Sequence, residues 1–114
     1  MQSYPKESLM NLPEMQQQIA DFVQKHDLDT SVTTRVLDLV SEVGEVAKEV
    51  LKGNDYGKRE FSPTPEWSSE LADALFSLIC IANSTDVDLD IALNSVLQKY
   101  EKRLIESGDA GSGS

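Results

Sequence analysis

This chain of 114 residues is poor in the side chains on which much enzyme chemistry depends, with one cysteine, one histidine and one tryptophan. Cys80 has no partner for an internal disulfide, and its apolar neighbours suit a reduced thiol, so a cytoplasmic setting is expected. His26 alone cannot build a histidine-based zinc site. No Ser-His-Asp or Cys-His arrangement has sequence support, and no glycine-rich phosphate loop is present. Positive charge is scarce as well: 10 Lys and Arg face 20 Asp and Glu, a net charge of −10. That balance argues against a nucleic-acid duplex or an anionic membrane surface as partner. A nucleotide stays open, because a bound divalent cation inverts the local field. The longest uncharged run, Ala74 to Thr85, is too short to cross a bilayer, and no basic-then-apolar leader opens the chain.

What is present suits one soluble helical domain. An apolar fraction of 39% and a charged fraction of 26% are ordinary for a globular chain of this length. Four segments have helical periodicity, and none alternates convincingly as a strand. Asn11-Leu12-Pro13-Glu14 reads as a helix start, followed by the stripe Met15, Ile19, Phe22 and Val23. Thr30 or Ser31 caps a second helix striped with Val32, Val36, Leu39, Val40, Val43, Val46, Ala47 and Val50, and Gly53 stops it. Thr64-Pro65-Glu66 starts a third helix, apolar nearly all round except for Glu66, Glu70, Asp73 and Ser77. Asp88 caps the fourth, whose stripe runs from Leu89 to Leu104. The expected fold is all-α: an antiparallel four-helix bundle whose core is completed by homo-oligomerisation, as a dimer or tetramer, because the third helix needs cover on most sides.

Two pairs of acids stand out, Glu42-x-x-Glu45 and Glu70-x-x-Asp73. Each pair should share one helix face. The second pair interrupts the most apolar stretch of the chain, where an unpartnered acid is rare. Two unit charges about 5 Å apart repel by roughly 3 kcal/mol at an effective dielectric of about 20. Gathered together, four acids call for cations, and hard carboxylate oxygens suit Mg²⁺. On the second helix Asp38, Glu42, Glu45 and Glu49 form a stripe centred roughly 120° from the apolar one. Glu42 is placed nearest the seam with a neighbouring helix, Glu49 further out and Asp38 further still. Such spacing also occurs on plain solvated helices. It is the apolar setting of Glu70 and Asp73 that favours a site, suited to attack of water on phosphorus.

Ser41-Glu42-Val43-Gly44-Glu45-Val46-Ala47-Lys48-Glu49, followed by Ser69-Glu70-Leu71-Ala72-Asp73-Ala74-Leu75, resembles the MazG-like all-α nucleoside triphosphate pyrophosphohydrolases. The likeness runs from about Met15 to Arg103. The expected organisation is an N-terminal extension (1–10), a MazG-like domain (11–106) and, from its Gly and Ser content, a disordered tail (107–114). The resemblance implies hydrolysis of a nucleoside or deoxynucleoside triphosphate to the monophosphate and pyrophosphate, in clearing aberrant nucleotides. It also implies that Glu42, Glu45, Glu70 and Asp73 hold Mg²⁺, with Mn²⁺ as a substitute. Lys99 and Arg103 resemble the family's C-terminal phosphate contacts, Asn94 is a candidate for sugar or base, and Trp67, with Tyr56 and Phe61, for stacking a base. Many family members double the acid before each motif, where this chain has Ser41 and Ser69. Two other readings stay open: an enzyme restricted to dUTP or dCTP, and a non-catalytic oligomeric module with a structural cation.

Overall fold

The computed structural model describes residues 10–107, which form four helices: α1 (Leu12–Lys25), α2 (Val32–Gly53), α3 (Trp67–Ser84) and α4 (Leu89–Ser107). Among the described residues there is no strand, so the all-α expectation holds. Apart from residues 10 and 107, the expected N-terminal extension and tail lie outside the described residues, and Ser107 belongs to α4 rather than to the tail. No described helix is long and apolar enough to cross a membrane.

Local signals account for most helix ends. Asn11 Oδ1 accepts from the Glu14 amide at 2.9 Å, Ser31 Oγ from Thr34 at 3.1 Å, and Asp88 Oδ1 from Ile91 at 3.1 Å. Each satisfies an amide that the first turn leaves without a partner. His26 caps the end of α1. The start of α3 differs from the sequence expectation. Pro65 and Glu66 form a turn and the helix begins at Trp67, with no side-chain cap from Glu66. Thr64, just before that turn, donates its hydroxyl to Glu49.

Gly53 ends α2 as expected, though by absence of bulk rather than by backbone sign. A Cβ there would lie 2.6 Å from the Phe61 ring and 2.7 Å from the Ser62 carbonyl oxygen. The following loop folds back over this point: Ser62 N and Arg59 Nη1 both donate to the Gly53 carbonyl. The left-handed residues come later, at Asp55, Tyr56 and Gly57.

Helix α3 is the axis of the fold. Helix α2 packs along it most extensively and antiparallel, so that Arg35 lies near Cys80 and Glu42 near Glu70 and Asp73. Helix α1 packs against another side of α3, with Gln16 bonded to Asn83 and Phe22 set edge-on to Phe76 at 6.4 Å. Helix α4 packs mainly on α1, and none of its residues is buried. Gln16 makes that corner. It donates to Asn83 Oδ1 and to the Val87 carbonyl and accepts from the Leu89 amide.

The rotation of α2 covers only part of its apolar stripe. Its buried residues are Glu49 and Gly53, while Val36, Leu37, Val40 and Val43 are exposed. The seam between the two stripes is turned toward α3: Leu39, Val46 and Val50 are half-buried beside Glu42, Glu45 and Glu49, while Asp38 is exposed. The radius of gyration is 17.1 Å, against roughly 13 Å for a compact single domain of about 100 residues.

Candidate metal centre

The antiparallel pairing of α2 and α3 sets the two acidic motifs opposite each other. Glu42, Glu70 and Asp73 each present a carboxylate oxygen, and these three atoms lie within 4.8 Å of one another. Glu42 and Glu70 are half-buried and Asp73 is exposed. Burial pushes the Glu70 carboxyl above its ordinary range, and the charges of Glu45, Asp73, Glu42 and Glu49 push it further.

Glu45 is beside this group without joining it. Its carboxylate pairs with Lys48 Nζ at 3.2 Å. Yet Glu45 is the strongest of the charges raising Glu70, so its oxygens are close to that residue. Lys48 in turn is held above its usual value, first by Glu45 and then by Glu49 and Glu70.

Glu49 is the correction within the site. Placed further out than Glu42 by helix geometry, it is 3% exposed, one of the few buried polar residues described. Thr64 Oγ1 donates to it at 2.5 Å and Lys52 Nζ lies 3.4 Å away. The hydroxyl and the ammonium hold its carboxyl below the usual range. Sequence periodicity missed it because the loop, rather than a helix, buries it.

The other expected residues lie on separate parts of the fold. Trp67 is half-buried one turn before Glu70 and meets Phe61 edge-on at 5.0 Å between ring centres. Asn94 Nδ2 donates to its own helix at Asp90 O, and Lys99 stands 5.6 Å over the Tyr100 ring. Arg103, one turn beyond Lys99, is half-buried on the same helix. Tyr56 is largely exposed on the loop. On α1 the tilted rings of Phe22 and His26 meet at 4.6 Å beside Gln18, with Phe22 also set against Phe76 of α3. Cys80 is buried as expected and lines a separate cavity of about 190 Å³ with Arg35, Asn83 and Ser84.

Chemically, the centre is an all-oxygen donor set with excess negative charge. Five carboxylates (Glu42, Glu45, Glu49, Glu70 and Asp73) are answered by the ammoniums of Lys48 and Lys52. Hard divalent cations bound partly by water and phosphate fit that chemistry, and thiophilic metals do not. The resident acids therefore fit a Mg²⁺ or Mn²⁺ site.

The model of the MazG nucleotide pyrophosphohydrolase domain matches residues 30–106, a span that contains both acidic motifs. The uncharacterized protein YpjD of Bacillus subtilis (strain 168) is 38% identical over 68 residues. That match covers 57% of this chain and 60% of YpjD, so the chain aligns with under two thirds of that relative's length. The crystal structure of the Bacillus-conserved MazG protein, a nucleotide pyrophosphohydrolase, superposes with a TM-score of 0.68 at 30% identity, covering 82% of this chain and 92% of that one. The structure of the putative pyrophosphatase YpjD from Bacillus subtilis gives a TM-score of 0.70 at 28% identity, over 84% and 98% of the two chains. On the strength of the domain match and the shared helical fold, this chain belongs to the MazG nucleotide pyrophosphohydrolase domain family.

Proposed function

We propose that this protein is a divalent-cation-dependent pyrophosphohydrolase that cleaves a nucleoside or deoxynucleoside triphosphate to its monophosphate and pyrophosphate, clearing aberrant nucleotides in the cytoplasm. The observation that carries this reading is the convergence of Glu42, Glu70 and Asp73 from two helices within 4.8 Å, inside a matched nucleotide pyrophosphohydrolase domain. These three, with Glu45 alongside, would hold Mg²⁺, for which Mn²⁺ would substitute. A bound cation there supplies positive charge to the phosphate oxygens and acidifies water at the site.

The protein's own part is placement. Helices α2 and α3 fix the acids opposite one another. A site glutamate orients the attacking water toward the α phosphorus. Lys99 and Arg103 on α4 would contact the β and γ phosphates, Asn94 the sugar or base, and Trp67 would stack on the base. Two chains would assemble the full site. The exposed Val36, Leu37, Val40 and Val43 of α2 form an apolar stripe that a second copy would cover. A second apolar groove, about 270 Å³ between Leu12, Leu75, Leu78, Leu93 and Val96, supports the same homo-oligomer.

The test is pyrophosphate release from all common ribo- and deoxyribonucleoside triphosphates, with Mg²⁺ and with chelator. Mg²⁺-dependent release from at least one of them is expected. Turnover that survives chelation would remove the metal from the reading.

A further inference from the structure

Of the four motif acids, one is engaged elsewhere. Glu45 gives its carboxylate to Lys48 at 3.2 Å instead of to the converging oxygens of Glu42, Glu70 and Asp73. Both partners are about half-exposed, with side-chain exposures of 55% for Lys48 and 44% for Glu45, and they sit three residues apart on one helix. Water screens such a pair, so it biases the Glu45 rotamer by at most about fivefold. A divalent cation beside Glu42, Glu70 and Asp73 attracts a fourth carboxylate far more strongly than one ammonium does. Glu45 is three residues from Glu42 on the same helix, within one turn of a candidate metal ligand. Its charge is among those felt at Glu70, so side-chain rotation would bring its carboxylate toward the ligand set.

We propose that Lys48 is the resident counter-ion of Glu45, and that on loading of the divalent cation it gives up that carboxylate and takes a phosphate oxygen of the polyphosphate substrate. This rests on the metal-dependent reading of the acidic centre given above. Once released, the ammonium carries three donors and a full charge one turn along α2 from the ligand set, which suits a point contact to phosphate. The exchange keeps the centre partly neutralised before the cation arrives. It also makes the same side chain oppose the metal and favour the nucleotide.

That opposition of signs is the signature to measure. Mn²⁺ affinity is read by electron paramagnetic resonance without nucleotide, and KM is read for the triphosphate turned over fastest. Wild type is compared with Lys48→Met, Lys48→Arg and Lys52→Met. Lys48→Met should bind Mn²⁺ about 2- to 5-fold more tightly while its KM rises about 5-fold or more, as expected for losing one charged contact. Lys48→Arg should restore both values toward wild type. Lys52→Met, which frees Glu49 rather than Glu45, should tighten Mn²⁺ binding less. The exchange is overturned if wild type binds Mn²⁺ but Lys48→Met leaves its affinity or KM unchanged, or if Lys52→Met tightens Mn²⁺ equally. Wild-type protein that binds no Mn²⁺ and hydrolyses no triphosphate overturns the metal reading together with it.

Discussion

Thr64 donates its hydroxyl to Glu49 at 2.5 Å and so ties the turn that launches α3 to the buried side of α2. Glu70 follows one turn into α3, so this bond helps set the register at which the two acidic motifs meet. It also favours the ionised form of Glu49, and with Lys52 it holds that carboxyl below its usual range.

Replacing Thr64 by Val should therefore lower Tm by a few degrees at pH 7, at fixed protein concentration. The pH dependence has a definite sign. Glu49 has a depressed carboxyl pKa in the folded chain, so its contribution is complete above the ordinary value of 4.5 and fades as pH falls through the depressed value. The Tm difference between wild type and Thr64→Val should thus be largest near neutrality and shrink in acid. A constant difference across pH would separate the bond from the charge on Glu49.

Glu70→Gln should separate stability from chemistry. The Glu70 carboxyl is raised by burial and by its acidic neighbours, so its ionisation strains the folded chain without metal. That strain builds as pH rises from 4.5 to the raised folded value and persists above it. At pH 7 the metal-free variant should melt at or above the wild-type temperature, yet lose Mg²⁺-induced stabilisation and pyrophosphate release. Calorimetry with and without Mg²⁺, alongside turnover, checks both halves. Full turnover by the variant would end the proposed role of Glu70.

Gln16→Leu should cost roughly 1–3 kcal/mol, because it leaves the Leu89 amide and the Asn83 side chain short of a partner. Hydrogen exchange should quicken first at the start of α4, which Gln16 holds to α1. Uniform protection across α4 in this variant would contradict the proposed role of the corner.

Val40→Asp bears on assembly. Val40 is 64% exposed in the middle of the uncovered apolar stripe of α2. A charge there should shift light-scattering mass from oligomer to monomer at micromolar concentration, with little change in helical circular dichroism. An unchanged mass would place the subunit interface elsewhere.

Much of this architecture was legible in the sequence, for reasons visible at single residues. Asn11, Ser31 and Asp88 are side chains that bond early helical amides, so three helix starts could be read directly. The three-residue spacing of Glu42/Glu45 and Glu70/Asp73 marked the acids that the fold sets opposite one another. What escaped depends on partners distant in the chain. Periodicity places Glu42 at the seam between the two faces of α2, but it does not reveal that the cover stops there and leaves Val36, Val40 and Val43 exposed. Nothing local reveals that Glu49, fifteen residues earlier, accepts the hydroxyl of Thr64. Gln16 and Lys48 were unmarked for the same reason: their partners are set by packing and by a rotamer.

The most direct measurement is phosphorus NMR of the products when wild-type protein meets a nucleoside triphosphate and Mg²⁺. Equal amounts of nucleoside monophosphate and pyrophosphate are expected, with none formed under chelation. Orthophosphate with nucleoside diphosphate, or no turnover of any common triphosphate, would contradict cleavage between the α and β phosphates at this acidic centre.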